Sequence, residues 1–255
     1  MSTEPLASET AAPASVIVVI PTYNERENLP QLAREILAIC PRFWLLVVDD
    51  NSPDGTGQIA GDLAVAYPGR VDVLHRVAKE GLGRAYVAGL ARALELGGAL
   101  IAQMDADHSH QPEDLVTLVA AAEENPDAGL VLGSRYIAGG STQGWPWHRK
   151  LISRAGGIYA GLILSVPVRD LTGGFKVWRP DTLRAIDLAS IHSDGYSFQI
   201  ETTYRALTTG SRVVQVPITF TDRIAGKSKL SRSVVIEAAL MAWRLRFRQL
   251  THKPW

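Results

Sequence analysis

The stretch "VIVVI", residues 16–20, is an unbroken run of β-branched side chains. A strand with one face in water alternates apolar and polar residues, whereas a strand covered on both faces is apolar throughout. The run therefore predicts a strand in the interior of a sheet. Further, mostly apolar runs that predict strands follow at 45–48, 71–74, 99–104 and 128–132.

The segments between these runs have the apolar spacing of helices, which are predicted over 29–39, 58–66, 83–96 and 112–124. Strands that alternate with helices predict an α/β fold, with a mostly parallel sheet flanked by helices. Downstream of residue 140 the alternation is looser. There the sequence predicts helices over 148–165, 196–207 and 231–250, a bend and a short strand within 170–178, and a strand over 213–220.

The chain is predicted to form one domain with two appended ends. Residues 1–15 are rich in Ser, Ala, Pro and Glu and lack the basic and apolar segments of a signal peptide, so a flexible tail is expected. Residues 16–230 form the α/β domain, and residues 231–255 form a basic amphipathic helix and tail. No stretch reaches the roughly 18 apolar residues of a membrane span.

Composition is that of a globular protein, with 46% hydrophobic residues in 255. Cys40 is the single cysteine, so an intramolecular disulfide is excluded. The net charge is zero but uneven, because eight Lys or Arg and one acid, Glu237, follow residue 222. This basic end indicates either an anionic partner or an ordinary solvated helix face.

Polar, turn-rich segments follow four of the predicted strands. They occupy residues 21–25, 49–55, 105–107 and 133–136. Because the carboxyl ends of parallel strands meet at one edge of a sheet, where α/β proteins bind ligands, these segments are expected to converge. A capping turn would explain any one of them, but four together favour a binding site.

Two nucleotide-binding motifs are excluded. Gly81 and Gly83 begin a dinucleotide fingerprint, but Tyr86 occupies the third glycine position, and a GxxxxGK[ST] loop does not occur. Asp105 and Asp107 instead lie two residues apart, and if the segment is strand-like, side chains at this spacing are expected to point the same way. Such a pair holds a hard divalent cation together with substrate phosphates, although by itself it is also explained by a cap and a solvated side chain.

Several longer motifs occur in a fixed order between about residue 16 and residue 230. They are VIPTYNERENLP (19–30), VVDDNSPDGT (47–56), KEGLGRAYVAG (79–89), MDADHSHQPEDL (104–115), GSRYIAGG (133–140), WHRKLISR (147–154), DLTGGFKVWR (170–179) and DRIAGKSKL (222–230). In these motifs the chain resembles the family 2 glycosyltransferases with the Rossmann-like GT-A fold. Among the members of that family, it resembles more closely the polyprenyl-phosphate (dolichyl-phosphate) mannose synthases.

The resemblance implies a binding site for a nucleotide sugar. The residues implied to hold the nucleoside are Pro21, Tyr23, Glu25, Val48 and Asp50. Asp105, Ala106 and Asp107 are implied to hold the ribose and diphosphate, with Mg²⁺ or Mn²⁺ on Asp105, Asp107 and Ser109. Arg223 and Lys229 are implied to close over the donor diphosphate.

The resemblance also implies that Arg135 and Arg149 face either the donor phosphates or the acceptor phosphate. With Ser153 they are assigned to an acceptor-phosphate site. His108 and His110 are expected at the surface or behind the ligands, because imidazole suits softer metals than magnesium. Asp170 and Glu201 are weaker candidates for the site, because a role as structural anchors would also explain both.

The implied reaction is the inverting transfer of mannose from GDP-mannose to a polyprenyl phosphate, which releases GDP. A phosphate monoester has a second pKa of about 6, so the acceptor is already ionised at neutral pH and needs no general base. Catalysis is therefore expected from Asp105, Asp107 and Arg135, which screen one anion approaching another. Alternatives are another sugar such as glucose, a sugar hydroxyl acceptor, a sugar nucleotidyltransferase, and an inactive nucleotide-binding subunit.

A lipid acceptor implies a peripheral protein on the cytoplasmic side of a membrane. The segments predicted to meet the lipid surface are Ala155–Val168 and Ser231–Phe247, which are apolar and flanked by cations. For the second segment, packing against the domain or a partner is the alternative. A separate integral-membrane partner is a further hypothesis, and a nucleic-acid partner is not expected.

Overall fold

The computed structural model describes residues 16–222 and 232–251, with side chains in the second range from residue 237 onward. The strands of the described chain are β1 (Val16–Thr22), β2 (Phe43–Asp49), β3 (Val71–His75), β4 (Leu100–Gln103), β5 (Ala128–Ser134), β6 (Ser141–Gln143), β7 (Lys176–Trp178), β8 (Arg212–Pro217) and β9 (Thr219–Thr221). The helices are α1 (Leu29–Ile39), α2 (Thr56–Ala66), α3 (Leu82–Glu95), α4 (Pro112–Glu124), α5 (Trp147–Leu164), α6 (Pro180–Ala185), α7 (Gly195–Thr208) and α8 (Arg232–Leu250).

The central sheet has the order β3-β2-β1-β4-β7-β5-β8 within the described residues. Only β7 runs antiparallel to its neighbours there. The predicted mostly parallel α/β sheet is therefore confirmed, as are the five predicted strands and the helices between them.

Strand β1 is buried on both faces, as the apolar run 16–20 predicts. Val16, Val18 and Ile20 join the core cluster beneath α1 and α4, which contribute Leu32 and Leu115. The alternate residues of β1 join the cluster beneath α3 and α7. Because successive side chains of β1 point into two different cores, every residue of the strand core must be apolar.

The structure corrects the prediction for 213–220, because this segment forms two strands in different sheets. Strand β8 ends at Pro217, and the N–H of the next residue, Ile218, still donates to Ser134 O at the end of β5 over 3.1 Å. The chain then pairs with β6 through β9, and Thr219 donates its N–H to Asp114 Oδ2 over 3.3 Å. Strand β6 was not predicted, because its sequence, Ser-Thr-Gln, has no apolar periodicity.

Helix α8 lies against α5 and α7 rather than apart from the domain. Met241 and Leu245, on the side predicted to be apolar, are buried in a cluster with Leu164 and Tyr204. A different set of apolar side chains on α8 remains exposed, comprising Leu240, Trp243, Phe247 and Leu250. Among the helices of the described chain, none has the length and apolar character needed to cross a membrane.

Candidate active site

A cavity of about 290 Å³ opens at the carboxyl edge of the sheet. The loop after β4 contributes Asp105 and His110 to it, and the end of β5 leads into Arg135. Helix α5 contributes Arg149, and the start of α7 covers the remaining side. Three sequence-predicted residues, Asp105, Arg135 and Arg149, therefore line one cavity.

Backbone strain is concentrated in the loops at this edge. Asn24, Asn51 and His108 have φ values of 61°, 55° and 58°, in the left-handed region. They follow β1, β2 and β4, which are neighbours in the sheet. Such conformations persist where the surrounding structure enforces them, and they cluster at functional sites.

The residues predicted to hold the nucleoside lie beside the cavity, at the ends of β1 and β2. Pro21 and Val48 are register partners, and both are buried. Asp50 donates its N–H to Thr22 O over 3.1 Å, and its carboxylate pairs with Arg76. Burial raises the pKa of Asp50, and the Arg76 guanidinium partly opposes this.

Tyr23 and Glu25 occupy the loop after β1. The Lys79 ammonium lies 3.6 Å from the centre of the Tyr23 ring, and Lys79 also lines the cavity. Lys79 thus connects the nucleoside residues with the cavity. Glu25 accepts a hydrogen bond from Asn28 Nδ2 over 2.7 Å, and its N–H donates to Thr56 Oγ1 over 3.0 Å.

Asp105 is held in place from two sides. The Tyr86 hydroxyl donates to Asp105 Oδ1 over 2.7 Å, and the N–H of Asp105 donates to His110 Nδ1 over 3.2 Å. Burial, with the Asp105 charge adding to it, raises the pKa of Tyr86 well above its ordinary value, so the phenol stays a donor. The sequence reasoning missed Tyr86, although its place in the motif 79–89 was the signal for it.

The two histidines differ. His110 is buried and stacks on Phe175 with ring centres 4.6 Å apart, so a surface position is wrong for it. Burial lowers its pKa, and a neutral ring that accepts at Nδ1 carries its proton on Nε2. It supports Asp105 from behind. His108 is half-buried, with Nδ1 3.6 Å from Glu35 Oε2.

Asp107 and Ser109 adjoin Asp105 but do not line the cavity. Ala106 between the aspartates is buried, and Asp107 Oδ1 accepts the N–H of Ser109 over 3.1 Å. The Ser109 hydroxyl is buried and has no hydrogen-bond partner within the described residues. An unsatisfied hydroxyl beside two carboxylates fits a hard cation that takes its other ligands from phosphate and water. Among residues 16–222 and 232–251, no three His, Cys, Asp or Glu side chains cluster as a complete metal cage.

Arg135 is locked by Asp170. The Arg135 Nε and Nη2 atoms donate to the two carboxylate oxygens over 2.7 and 2.6 Å, and Nη2 also donates to Thr172 Oγ1 over 2.9 Å. Burial alone would lower the pKa of Arg135, but the adjacent carboxylate raises it above its usual value. Asp170, fully buried, anchors the arginine that lines the cavity.

Arg149 lies over the Trp145 ring, 4.0 Å from its centre, and Nη1 donates to Asp222 over 2.8 Å. Its Nε is buried and has no partner within the described residues. Ser153 Oγ accepts from the Tyr136 hydroxyl over 2.6 Å and is not among the cavity residues. The predicted roles of Arg223 and Lys229 concern residues outside the described part of the chain.

Glu201 lies on α7 and accepts a hydrogen bond from Arg205 Nε over 3.0 Å. It is not one of the residues that line the cavity. Of the two alternatives for Glu201, this ion pair within one helix favours the structural anchor.

The glycines of the motif 79–89 permit a close approach between α3 and the start of α7. Asp194 Oδ1 accepts the N–H of Gly83 over 2.6 Å, and a Cβ on Gly83 would collide with the Ser193 carbonyl. Gly81 has a φ of 109°, which disfavours other residues. Asp194 and Gly81 then line the cavity side by side.

The cavity therefore combines two kinds of group. Arg135 and Arg149 supply fixed positive charge suited to phosphate oxygens. Asp105, Asp194 and the Gln199 amide supply hydrogen-bonding groups suited to hydroxyls or to a bridging cation. A substrate that carries both phosphate and hydroxyl groups fits this distribution.

Comparison with known proteins gives a consistent result. The family model described as Glycosyl transferase family 2 matches residues 17–186. Polyprenol monophosphomannose synthase of Mycolicibacterium smegmatis is 47% identical over 91% of this chain and 88% of its own length. Undecaprenyl-phosphate mannosyltransferase of Micrococcus luteus is 47% identical over 90% of this chain and 93% of its own length.

Solved structures resemble the fold more distantly. Glucosyl-3-phosphoglycerate synthase from Mycobacterium tuberculosis in complex with uridine diphosphate has a TM-score of 0.66 at 17% identity, covering 92% of this chain and 80% of that one. The same enzyme with Mn²⁺, UDP-glucose and phosphoglyceric acid has a TM-score of 0.64 at 19% identity, covering 91% and 80%. The likeness confirms the α/β fold of GT-A type that the sequence predicts.

Proposed function

The chain belongs to glycosyl transferase family 2 and is a glycosyltransferase, and from this premise we propose that it transfers mannose from GDP-mannose to a polyprenyl phosphate. The products are polyprenyl-phosphate-mannose, inverted at the anomeric carbon, and GDP. The observation that carries the proposal is the 47% identity, over nine-tenths of the chain, to two relatives named for mannosyl transfer or synthesis on polyprenol carriers.

The arginines of the cavity support a phosphate acceptor. Arg135 is fixed by Asp170, and Arg149 presents a buried, unpartnered Nε within the described residues. Positioned guanidinium groups bind phosphate in a defined orientation and offset its charge as it nears the diphosphate. Ser153, bonded to Tyr136, is proposed to assist from the same helix as Arg149.

We assign the donor to the loops after β1, β2 and β4. Asp50 and Tyr23 would hold the nucleoside, and Asp105, Asp107 and Ser109 would hold Mg²⁺ or Mn²⁺. When bound, such a cation neutralises charge on the leaving diphosphate. Tyr86 holds the Asp105 carboxylate by donating to Oδ1, and His110 holds the backbone of Asp105 by accepting its N–H.

The transfer needs no proton. One oxygen of the acceptor phosphate forms a bond with the anomeric carbon, and the bond from that carbon to the diphosphate oxygen breaks. The acceptor arrives ionised, so the residues of the chain supply position and positive charge rather than a base. His110 Nδ1 accepts the N–H of Asp105 and the Tyr86 hydroxyl donates to the Asp105 carboxylate, so both side chains are engaged in holding Asp105.

A donor screen tests the proposal. The purified chain is incubated with polyprenyl phosphate, a divalent cation and labelled GDP-mannose, UDP-glucose or UDP-N-acetylglucosamine. We expect label in the lipid extract from GDP-mannose alone. Preferential lipid labelling from UDP-glucose would replace mannose by glucose, and label that stays aqueous with all three donors would refute the lipid acceptor.

The acceptor also implies contact with a lipid surface, which we assign to α5 and α8. Trp147, Leu151 and Leu162 are exposed to 75%, 60% and 74% on α5, the helix that also supplies Arg149. The Trp243 indole N–H on α8 donates to the Tyr159 hydroxyl on α5 over 2.8 Å. This hydrogen bond links the two helices that carry the exposed apolar residues. A lipid whose phosphate lies at Arg149 would have its chain along this surface, and nearby cations would attract anionic headgroups.

Flotation with liposomes containing anionic lipid checks this assignment. Leu151→Ser combined with Leu162→Ser is expected to lower the membrane partition constant of the chain more than about tenfold, because each buried leucine contributes about 1 kcal/mol or more. The matched control is Val65→Ser, at a position 83% exposed on α2. Equal flotation of the double variant and the control would refute the assigned surface.

A further inference from the structure

A buried polar network lies beneath the cavity, between β4, β7 and α7. Trp178 Nε1 donates to Gln103 Oε1 over 3.3 Å, and Gln103 Nε2 donates to Gln199 Oε1 over 2.8 Å. Lys176 Nζ also donates to Gln199 Oε1 over 2.8 Å, while it contacts Gln199 O and Thr202 Oγ1. The Trp178 indole N–H can only donate, so the Gln103 amide accepts at Oε1 and donates through Nε2. The Gln199 atom that accepts from Gln103 and from the Lys176 ammonium is therefore its oxygen, which faces the network.

The other end of this amide, Nε2, is left facing the cavity. Gln199 lines the cavity, and within the described part of the chain Nε2 has no hydrogen-bond partner. A Cβ placed on Gly174 would lie 3.3 Å from Gln199 Nε2 and 3.8 Å from Asp105 Oδ2. The amide nitrogen and the carboxylate oxygen therefore border one small space, which the glycine leaves open.

The chemistry of these two atoms restricts what fills that space. Nε2 only donates hydrogen bonds, and an ionised carboxylate only accepts them. A hydroxyl does both, whereas a phosphate oxygen would satisfy Nε2 but meet the like charge of Asp105. Each carboxylate oxygen has two lone pairs, so Asp105 Oδ2 that accepts from a hydroxyl can still contact a cation.

Building on the function proposed above, we infer that Gln199 and Asp105 together bind one hydroxyl of the transferred sugar. Gly174 leaves the room for this hydroxyl, and Lys176 is a positioning residue that holds the Gln199 amide in the required orientation. The pair makes the site selective for sugar configuration. A sugar whose hydroxyl points elsewhere leaves the buried Gln199 amide donor unpaired.

Binding without turnover tests the inference. Calorimetry with a divalent cation and no acceptor measures the affinity of the full chain for GDP-mannose and for GDP, which lacks the sugar. In Gln199→Met and Gly174→Ala we expect GDP-mannose to bind about tenfold more weakly, with GDP affinity unchanged. Gly174 lies outside the left-handed region, so alanine is compatible with its backbone and places a methyl in the subsite.

Two controls match these variants. Gly61→Ala introduces a methyl on α2 that meets no atom within 4 Å, and Gln58→Met changes an exposed glutamine on the same helix. Both should bind the two ligands as the wild type does. Lys176→Met should reproduce the selective loss, and combining it with Gln199→Met should add nothing, because the two residues act on one contact.

A set of singly deoxygenated GDP-mannoses completes the test. One of them should bind the wild type about tenfold more weakly than GDP-mannose does, yet bind Gln199→Met with the affinity of GDP-mannose for that variant. Unchanged GDP-mannose affinity in the variants, or a parallel loss of GDP affinity, would overturn the subsite while leaving the proposed function intact. A wild type that binds GDP but gains nothing from the mannose would overturn the proposed donor and this subsite with it.

Discussion

Asp107→Ala is expected to lower the rate of mannosyl transfer by about a thousandfold or more, with the fold intact. Asp107 is the carboxylate proposed to share a divalent cation with Asp105, and the adjacent Ser109 hydroxyl is buried without a partner in the described chain. Without this ligand, charge on the departing diphosphate would no longer be neutralised. Initial rates over a range of cation concentrations measure the loss.

The expected loss has a second readout. Addition of Mn²⁺ with GDP should raise the Tm of the wild type and leave that of Asp107→Ala unchanged, because a ligand stabilises only a state that binds it. Asp181→Ala is the matched control, since the Asp181 side chain is 96% exposed. Near-normal activity of Asp107→Ala, with the Tm response preserved, would refute the proposed cation site.

Asp170→Asn is expected to lower the free energy of unfolding by about 3 kcal/mol, because it leaves the buried Arg135 guanidinium without its counter-charge. The Asp170 carboxylate accepts three hydrogen bonds from Arg135, including one from its N–H over 2.9 Å. Urea unfolding measures the change. Transfer activity should fall as well, because Arg135 loses the partner that orients it in the cavity.

An exposed ion pair between the same residue types serves as the control. Arg212 and Asp127 lie 2.8 Å apart with side chains 53% and 64% exposed, so Asp127→Asn should cost less than about 1 kcal/mol. If the two asparagine variants were equally stable, Asp170 would not be the anchor of Arg135.

The fold was predictable wherever the signal was local. The apolar run of β1 indicates a doubly covered strand because its residues alternate between two cores. The prediction of one strand over residues 213–220 was wrong because the apolar pattern does not change where the chain passes from the central sheet to the small second sheet. What divides it is the pairing of Thr219–Thr221 with a different partner strand, β6, which has no apolar signal of its own.

The site was predictable only in part, for a similar reason. Asp105, Arg135 and Arg149 occur in recognisable motifs, and the structure brings them to one cavity. The groups that orient them come from distant segments: Tyr86 reaches Asp105, and Asp170 reaches Arg135 across 35 residues. Periodicity does not reveal such contacts.

The burial of Lys176 was harder still to predict, because lysine side chains are almost never fully buried in folded proteins. Burial lowers its pKa well below the ordinary value. Its proposed positioning role rests on contacts with Gln199 and, through it, with Gln103, and these two residues lie 96 positions apart in the sequence.

The central claim is that a lipid phosphate displaces a nucleoside diphosphate from the sugar, and the phosphorus-containing products test it most directly. The wild-type chain is incubated with GDP-mannose, polyprenyl phosphate and a divalent cation, and the mixture is followed by ³¹P NMR. The account predicts that the phosphomonoester signal of the lipid is replaced by that of a phosphodiester, with GDP released in equal amount. Release of pyrophosphate, or release of GDP while the lipid remains a monoester, would contradict it.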